Sequence, residues 1–295
     1  MTTPKPPERQ WTANGAVPLS VLEWGPVDGP PLLLIHGGGD FARSFDGFAP
    51  WLAAAGWRVA AWDQRGHGNS GHADLYSYGA DIRDAAAVAT AFGVGEPVTV
   101  VGHSKGGLIA IELAVAQPDL VRACVAIDGF VRRTHWEGSP ASFATQWLDL
   151  RHRKGPLRAS SIEELAERRQ KANPRVGMPW CRYLAEIGSA PIAEEPGKRR
   201  WTLDPMTFPP SPHGWTASLS FDVLRQVQVP LLALKAAIAE PMAGQPATEA
   251  LRVALPPSAE YVVLEGLGHF AHIEDPELVA KLTLSFLARH GIAPT

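Results

Sequence analysis

The chain has 295 residues, 45% of them hydrophobic and 19% charged, a composition that can bury a sizeable core and excludes a peptide module or a disordered chain. Lys and Arg number 27 against 30 Asp and Glu, and the net charge of -3 has the wrong sign for a nucleic-acid binder. The two cysteines, Cys124 and Cys181, are far apart and have no metal-ligand spacing, so neither a disulfide framework nor a metal site is expected. Met1 to Asn14 is polar and proline-rich, and no stretch approaches ~18 continuous apolar residues. A cytoplasmic protein without a membrane partner is expected.

Short apolar runs recur along the chain, each closed by turn residues. Arg9 to Thr12 and Val17 to Trp24 flank Ala13-Asn14-Gly15 and read as an edge hairpin closed by an Asn-Gly turn. Leu32 to Ile35, Trp57 to Trp62, Val98 to Val101, Ala123 to Ile127, Leu231 to Leu234 and Tyr261 to Leu264 supply six further strands. Helical patterns at Phe45 to Ala55, Ser77 to Phe92, Gly106 to Ala116, Ala247 to Val253 and Pro276 to Arg289 have the length of right-handed crossovers. Asp275 stands where it can cap the last helix, with Pro276 at its first position. The pattern is an α/β fold, an eight-stranded, mostly parallel sheet flanked by helices.

One gap breaks this rhythm. Gly129 to Val229 separates the sixth and seventh strands by about a hundred residues, far more than an ordinary connection. We read residues 131–228 as an inserted helical unit, and 1–130 with 229–295 as the core domain. The inserted stretch contains a charged helix candidate, Ser161 to Lys171, with Ser161 as its cap, and a proline-rich irregular stretch, Thr202 to Trp215. It also holds Trp136, Trp147, Trp180, Trp201 and Trp215, half of the ten tryptophans. These either line an apolar pocket, for which Trp136, Trp147, Trp180 and Trp215 are the candidates, or pack the insertion onto the sheet.

Gly102-His103-Ser104-Lys105-Gly106 follows the strand Val98 to Val101 and opens a helix, the strand-turn-helix setting that a Gly-x-Ser-x-Gly nucleophile needs. Small residues on either side of the serine allow a tight turn that lifts its hydroxyl to the top of the sheet. A serine needs a base held by an acid. His269, in Leu267-Gly268-His269-Phe270 after the last strand, would emerge at the same sheet edge. His272 competes, but it stands closer to the following helix and suits a surface or capping role.

These features together resemble the α/β-hydrolase superfamily over nearly the whole chain, in a capped, serine esterase or lactonase-like branch. His36-Gly37-Gly38-Gly39 resembles the family's oxyanion loop, which implies donors at the backbone N–H of Gly38, or of Gly39, and of Lys105. Asp63-Gln64-Arg65-Gly66-His67-Gly68-Asn69-Ser70 is similar to a structural turn after the fourth strand, and the insertion is similar to the family's cap domain. The commonest family acid, an Asp in a Gly-x-x-Asp turn after the seventh strand, is missing: the chain reads Lys235-Ala236-Ala237-Ile238-Ala239-Glu240. Asp128, at the end of the sixth strand, resembles the acid position of haloalkane dehalogenases and zearalenone-type lactonases. Asp128 is the preferred acid, with Glu240 as the alternative.

A serine nucleophile argues against epoxide opening or halide displacement, which use an aspartate there. The resemblance implies acyl transfer to water from a small, apolar ester or lactone, without cofactor or metal. The same triad could cleave a C–C bond in a diketone acid, with Arg182, Arg199 or Arg200 binding the carboxylate. If neither acid reached His269, a non-catalytic binding module would be the better reading. Lys105 is either an attractor of anionic substrate or a solvated lysine on the first helical turn.

Overall fold

The computed structural model describes residues 3–131, 140–153, 155–207, 217–239 and 248–294. Its strands are β1 (Arg9–Asn14), β2 (Pro18–Trp24), β3 (Pro31–Ile35), β4 (Arg58–Trp62), β5 (Val98–His103), β6 (Val121–Ile127), β7 (Ser189–Pro191), β8 (Arg199–Trp201), β9 (Leu231–Ala236) and β10 (Glu260–Leu264). Eight of them form one sheet in the order β1-β2-β4-β3-β5-β6-β9-β10. β1 and β2 pair antiparallel with each other, β2 pairs antiparallel with β4, and every other pair is parallel. The hairpin differs in detail from expectation. Asn14 pairs with Pro18, and neither Asn14 nor Gly15 takes the positive φ that a two-residue Asn-Gly turn requires. The loop is therefore Gly15 to Val17.

The unbroken apolar runs of the central strands are explained by covering on both faces. Leu33 and Ile35 of β3, Val98 and Val100 of β5 and Cys124 and Ala126 of β6 join one core cluster with Val88 and Phe92 of α2 (Tyr78–Gly93) and Ile109 and Leu113 of α3 (Lys105–Ala116). Their alternating neighbours Leu32, Leu34, Val101, Val125 and Ile127 meet Leu52 on the opposite face, within the short helix α1 (Ala49–Ala54), and Phe286 and Leu287 from the C-terminal helix Pro276–Arg289. Asp275 caps that last helix by accepting the N–H of Leu278 at 3.0 Å.

Between β6 and β9 lie helices Pro140–Arg153, Ile162–Ala172, Met178–Ile187 and Ala217–Arg225, with β7 and β8 as a small antiparallel ribbon. Ser161 and Glu164 form a reciprocal capping box at the start of Ile162–Ala172. A separate cluster of Leu165, Val176, Trp180, Cys181 and Leu184 takes in Phe41 from the loop after β3 and Ile273 from the short helix Ala271–Glu274. The inserted segment is thus seated on the C-terminal edge of the parallel strands. No helix among the described residues is long and apolar enough to cross a membrane.

The turn after β4 is tied to α2 by a buried two-bond pair: Arg65 donates from Nε and NH2 to the two oxygens of Asp84, each at 2.6 Å. Removing one partner leaves the other charge buried and alone. Arg65→Met should lower unfolding free energy by about 3–5 kcal/mol, and the double variant Arg65→Met/Asp84→Leu should recover most of that loss. Urea titration of the two variants checks both values.

Candidate active site

β5 delivers Ser104 and β6, its parallel neighbour, delivers Asp128. Both residues have positive φ, 53° and 44°, a region that costs non-glycine residues energy and persists only where the surroundings impose it. The ladder supplies that surrounding: Ser104 donates its N–H to Ile127 O at 2.9 Å, and Asp128 donates its own to Leu234 O at 2.8 Å. Glycine is required where the backbones close up. A Cβ on Gly106 would collide with the carbonyl of Ile35, and one on Gly129 with the carbonyl of Ser104.

His269 follows β10 and is buried, as is Asp128. Its Nδ1–H donates to Asp128 Oδ2 at 2.7 Å, a bond that fixes the tautomer and leaves Nε2 with its lone pair. His103, the neighbour of Ser104, donates Nε2–H to the carbonyl of His269 at 2.8 Å, and the two rings stand 4.7 Å apart. The serine turn and the histidine loop are therefore packed together. Ser104 itself keeps partial exposure.

The loop after β3 runs alongside. Gly37 lies against His103 and Ser104, and Gly38 against the Lys105 side chain. Gly39 donates its N–H to Nε2 of His67 at 3.3 Å, which engages that donor and favours Gly38 of the two oxyanion candidates. Asp63 accepts the N–H groups of Ala42 and Asn69, both at 2.8 Å, so the Asp63 to Ser70 turn buttresses this loop. Burial raises the Asp63 carboxyl to about 6.

Four buried histidines around the site are held neutral. Burial, chiefly, lowers His36 and His272 to about 3 and His67 and His103 well below 6.5. His272 corrects the sequence expectation: it is no surface or capping residue but fully buried, with its ring 4.3 Å from His103 and 5.1 Å from Phe45. Neither of its nitrogens has a hydrogen-bond partner among the described residues. Its place follows from the turn Ala271–Glu274 burying its inner face.

The tryptophans divide. Trp180 is buried, meets Tyr183 edge-on at 5.4 Å and lies against Gly47, a contact that packs the segment between β6 and β9 onto the sheet. Trp147 is half-buried on Pro140–Arg153. Trp136, Trp215 and Glu240 lie outside the described residues. Lys105 is half-buried, with its ammonium 2.7 Å from the buried Asp81 of α2. Lys235, which carried no sequence signal beyond its place at a strand end, donates to Asp128 Oδ1 at 3.0 Å. Among the described residues no group of His, Cys, Asp and Glu could hold a metal ion.

A mostly parallel sheet of this strand order, with a serine on a strained strand-to-helix turn and a His–Asp pair at the same edge, defines a protein of the α/β-hydrolase class. The chain belongs to the alpha/beta hydrolase family, whose model matches residues 32–282. It is 39% identical over 115 residues to a pimeloyl-[acyl-carrier protein] methyl ester esterase of Neisseria meningitidis, a match covering 39% of this chain and 43% of that protein's length. It is 27% identical over 270 residues to a putative non-heme bromoperoxidase of Mycobacterium tuberculosis, covering 88% of this chain and 94% of the other. A hypothetical protein of Pseudomonas aeruginosa PAO1 has a similar structure, with a TM-score of 0.82 at 29% identity, covering 95% and 99% of the two chains.

The neutral histidines make stability pH-dependent. Unfolded, His36 and His272 bind protons near pH 6.5; folded, only near 3. Their contribution is complete above pH 6.5 and is lost as pH falls toward 3. Asp46 and Asp63, raised by burial from 3.8 to about 6, act oppositely, their contribution being lost as pH rises through 6. The histidine shifts are larger and more numerous, so the urea midpoint should fall between pH 6.5 and 4, and less steeply in His272→Leu.

Proposed function

We propose that the protein is a serine hydrolase that cleaves a carboxylic ester or lactone through an acyl-enzyme. Ser104 is the nucleophile, His269 the general base and then acid, and Asp128 the acid that orients it. The observation carrying this reading is the 2.7 Å bond from His269 Nδ1–H to Asp128 Oδ2, at the edge where Ser104 sits in a left-handed turn. With Nδ1 committed, Nε2 can take the Ser104 proton as Oγ attacks the carbonyl, and Asp128 stabilises the imidazolium that forms. The backbone N–H groups of Gly38 and Lys105 hold the oxyanion. His269 returns the proton to the departing alcohol, and water, deprotonated in the same way, releases the acid.

Esterase chemistry is supported by the likeness to the Neisseria methyl ester esterase. A substrate without a carboxylate fits the electrostatics: Lys105, Arg169 and Lys235 stand against the buried carboxylates of Asp81, Asp40 and Asp128. The diketone-acid reading called for a cation in the insertion, but Arg199 is committed to Ser189 and the Glu186 carbonyl. Arg200 donates to Leu157 O, and Arg182 is exposed. The non-catalytic reading rested on an acid remote from His269, and the short Asp128 bond speaks for catalysis instead. In this reading residues 131–228 act as the cap over the site.

A fluorophosphonate probe should phosphonylate Ser104 in the native protein, with loss of fluoride, and fail on Ser104→Ala. Asp128→Asn should lower kcat on a simple nitrophenyl ester by about 10⁴-fold, with KM little changed. Mass spectrometry of the labelled peptide and steady-state kinetics test the two expectations, and a native enzyme left unlabelled would remove the proposal.

A further inference from the structure

β9 lies beside β6 in the sheet and ends at Lys235-Ala236. Lys235 is folded back over this end: its Nζ donates to Asp128 Oδ1 at 3.0 Å and to Ala236 O at 2.8 Å. Its side chain is 12% exposed and that of Asp128 1%. The Ala236 N–H reaches the same Oδ1 at 3.2 Å. The two carboxylate oxygens are thus divided: β9 holds Oδ1, and Oδ2 faces His269. A buried ammonium carries a desolvation cost unless it is closely paired, so this placement is not a lysine's ordinary solvated one.

We infer that Lys235 is a positioning residue for Asp128, and that its charge sets the pH at which the Asp128–His269 pair takes up its inactivating proton. This inference rests on the proposed triad. The active pair carries one negative charge, the protonated pair none, wherever the proton resides. A neighbouring ammonium stabilises the charged form and so keeps the pair active to lower pH. Other groups face His269 as well. His103 packs against it from the end of β5 with its ring tilted and is held neutral, as is His272 behind His103. Asp40 and Arg169 act on His272 as an opposed pair. Glu274, paired with Arg175, accepts the Gly268 N–H. None of these cations bonds the triad carboxylate as Lys235 does.

Lys235→Met and Lys235→Gln should each move the acidic limb of the kcat/KM profile upward by roughly one to two pH units. Plateau kcat should fall about ten- to a hundredfold, as when a supporting hydrogen bond is lost, with KM unchanged. Lys235→Arg keeps the charge and should keep the native limb. A Met or Gln profile superimposing on the native one overturns the inference, as does an Arg profile displaced as far as that of Gln. Should the Met variant not fold, the Gln and Arg pair decides. Asp128→Asn, run alongside, separates the two ideas: if it abolishes turnover the triad stands and the Lys235 profiles test the lysine alone. If it leaves turnover intact, the triad reading and this inference both fall.

Discussion

Everything at this edge of the sheet depends on two adjacent strands ending in left-handed residues that are not glycine. His103 and Ile127 are the last paired residues of β5 and β6, and the next residue of each chain, Ser104 and Asp128, turns with positive φ. Such a conformation costs of order 1–3 kcal/mol per residue, so the rest of the fold must hold it. It is held by ladder bonds continued one residue past the strands, to Ile127 and Leu234, and by glycines that let backbones touch. Gly107 packs on Gly129, Gly129 on Ser104 and Gly106 on Ile35. The strained pair and the glycines are one device, since a side chain at any of these contacts would separate the strand ends.

The second constraint is electrostatic. Burying charge is tolerable only in pairs, and the surroundings of the strand ends obey this closely. Arg65 meets Asp84, Lys105 meets Asp81, Arg169 meets Asp40 and Lys235 meets Asp128. The histidines solve the same problem by staying neutral, with His36 accepting the Gln64 N–H at 2.9 Å and His67 that of Gly39. The pairs also join elements: Arg65 ties the turn after β4 to α2, Lys105 ties the serine turn to α2, Arg169 ties the inserted segment to the loop after β3, and Lys235 ties β9 to the end of β6. In a region of low dielectric such pairs fix geometry as much as they stabilise it.

The sheet was legible because its rules are local. Alternate residues of β3, β5 and β6 enter opposite core clusters, and covering both faces produces the continuous Val, Ile and Leu runs that mark the strands. The serine turn was legible because Gly102 and Gly106 are required by backbone contact rather than by a remote partner. The inserted segment was less so. Met178–Ile187 has Gly177 and Gly188 at its ends and Trp180, Cys181, Leu184 and Ala185 on one face, a signal present in the sequence but weakened by its short length. β7 and β8 have three residues each, too few for a periodicity. His272 was misplaced because proximity to a helix start implies exposure only when the preceding turn is not itself folded inward. Lys235 was missed because its role is set by a contact across 107 residues of chain.

In the proposed triad the acid stands at the end of β6 and not of β9, and this has a physical consequence. A carboxylate at the end of β9 would stand two strands away from the serine, and the histidine loop would have to bridge to it past the end of β6. With Asp128 at the end of β6, the proposed nucleophile and acid belong to neighbouring strands whose registers are locked pair by pair, so their separation is fixed by the sheet and not by loop conformation. The end of β9 is then relieved of the acid. It supplies instead a cation and a backbone N–H to the far side of the same carboxylate. An aspartate in the turn after β9 would have brought a like charge toward Asp128; the lysine at the strand's end supplies a counterion to that carboxylate instead.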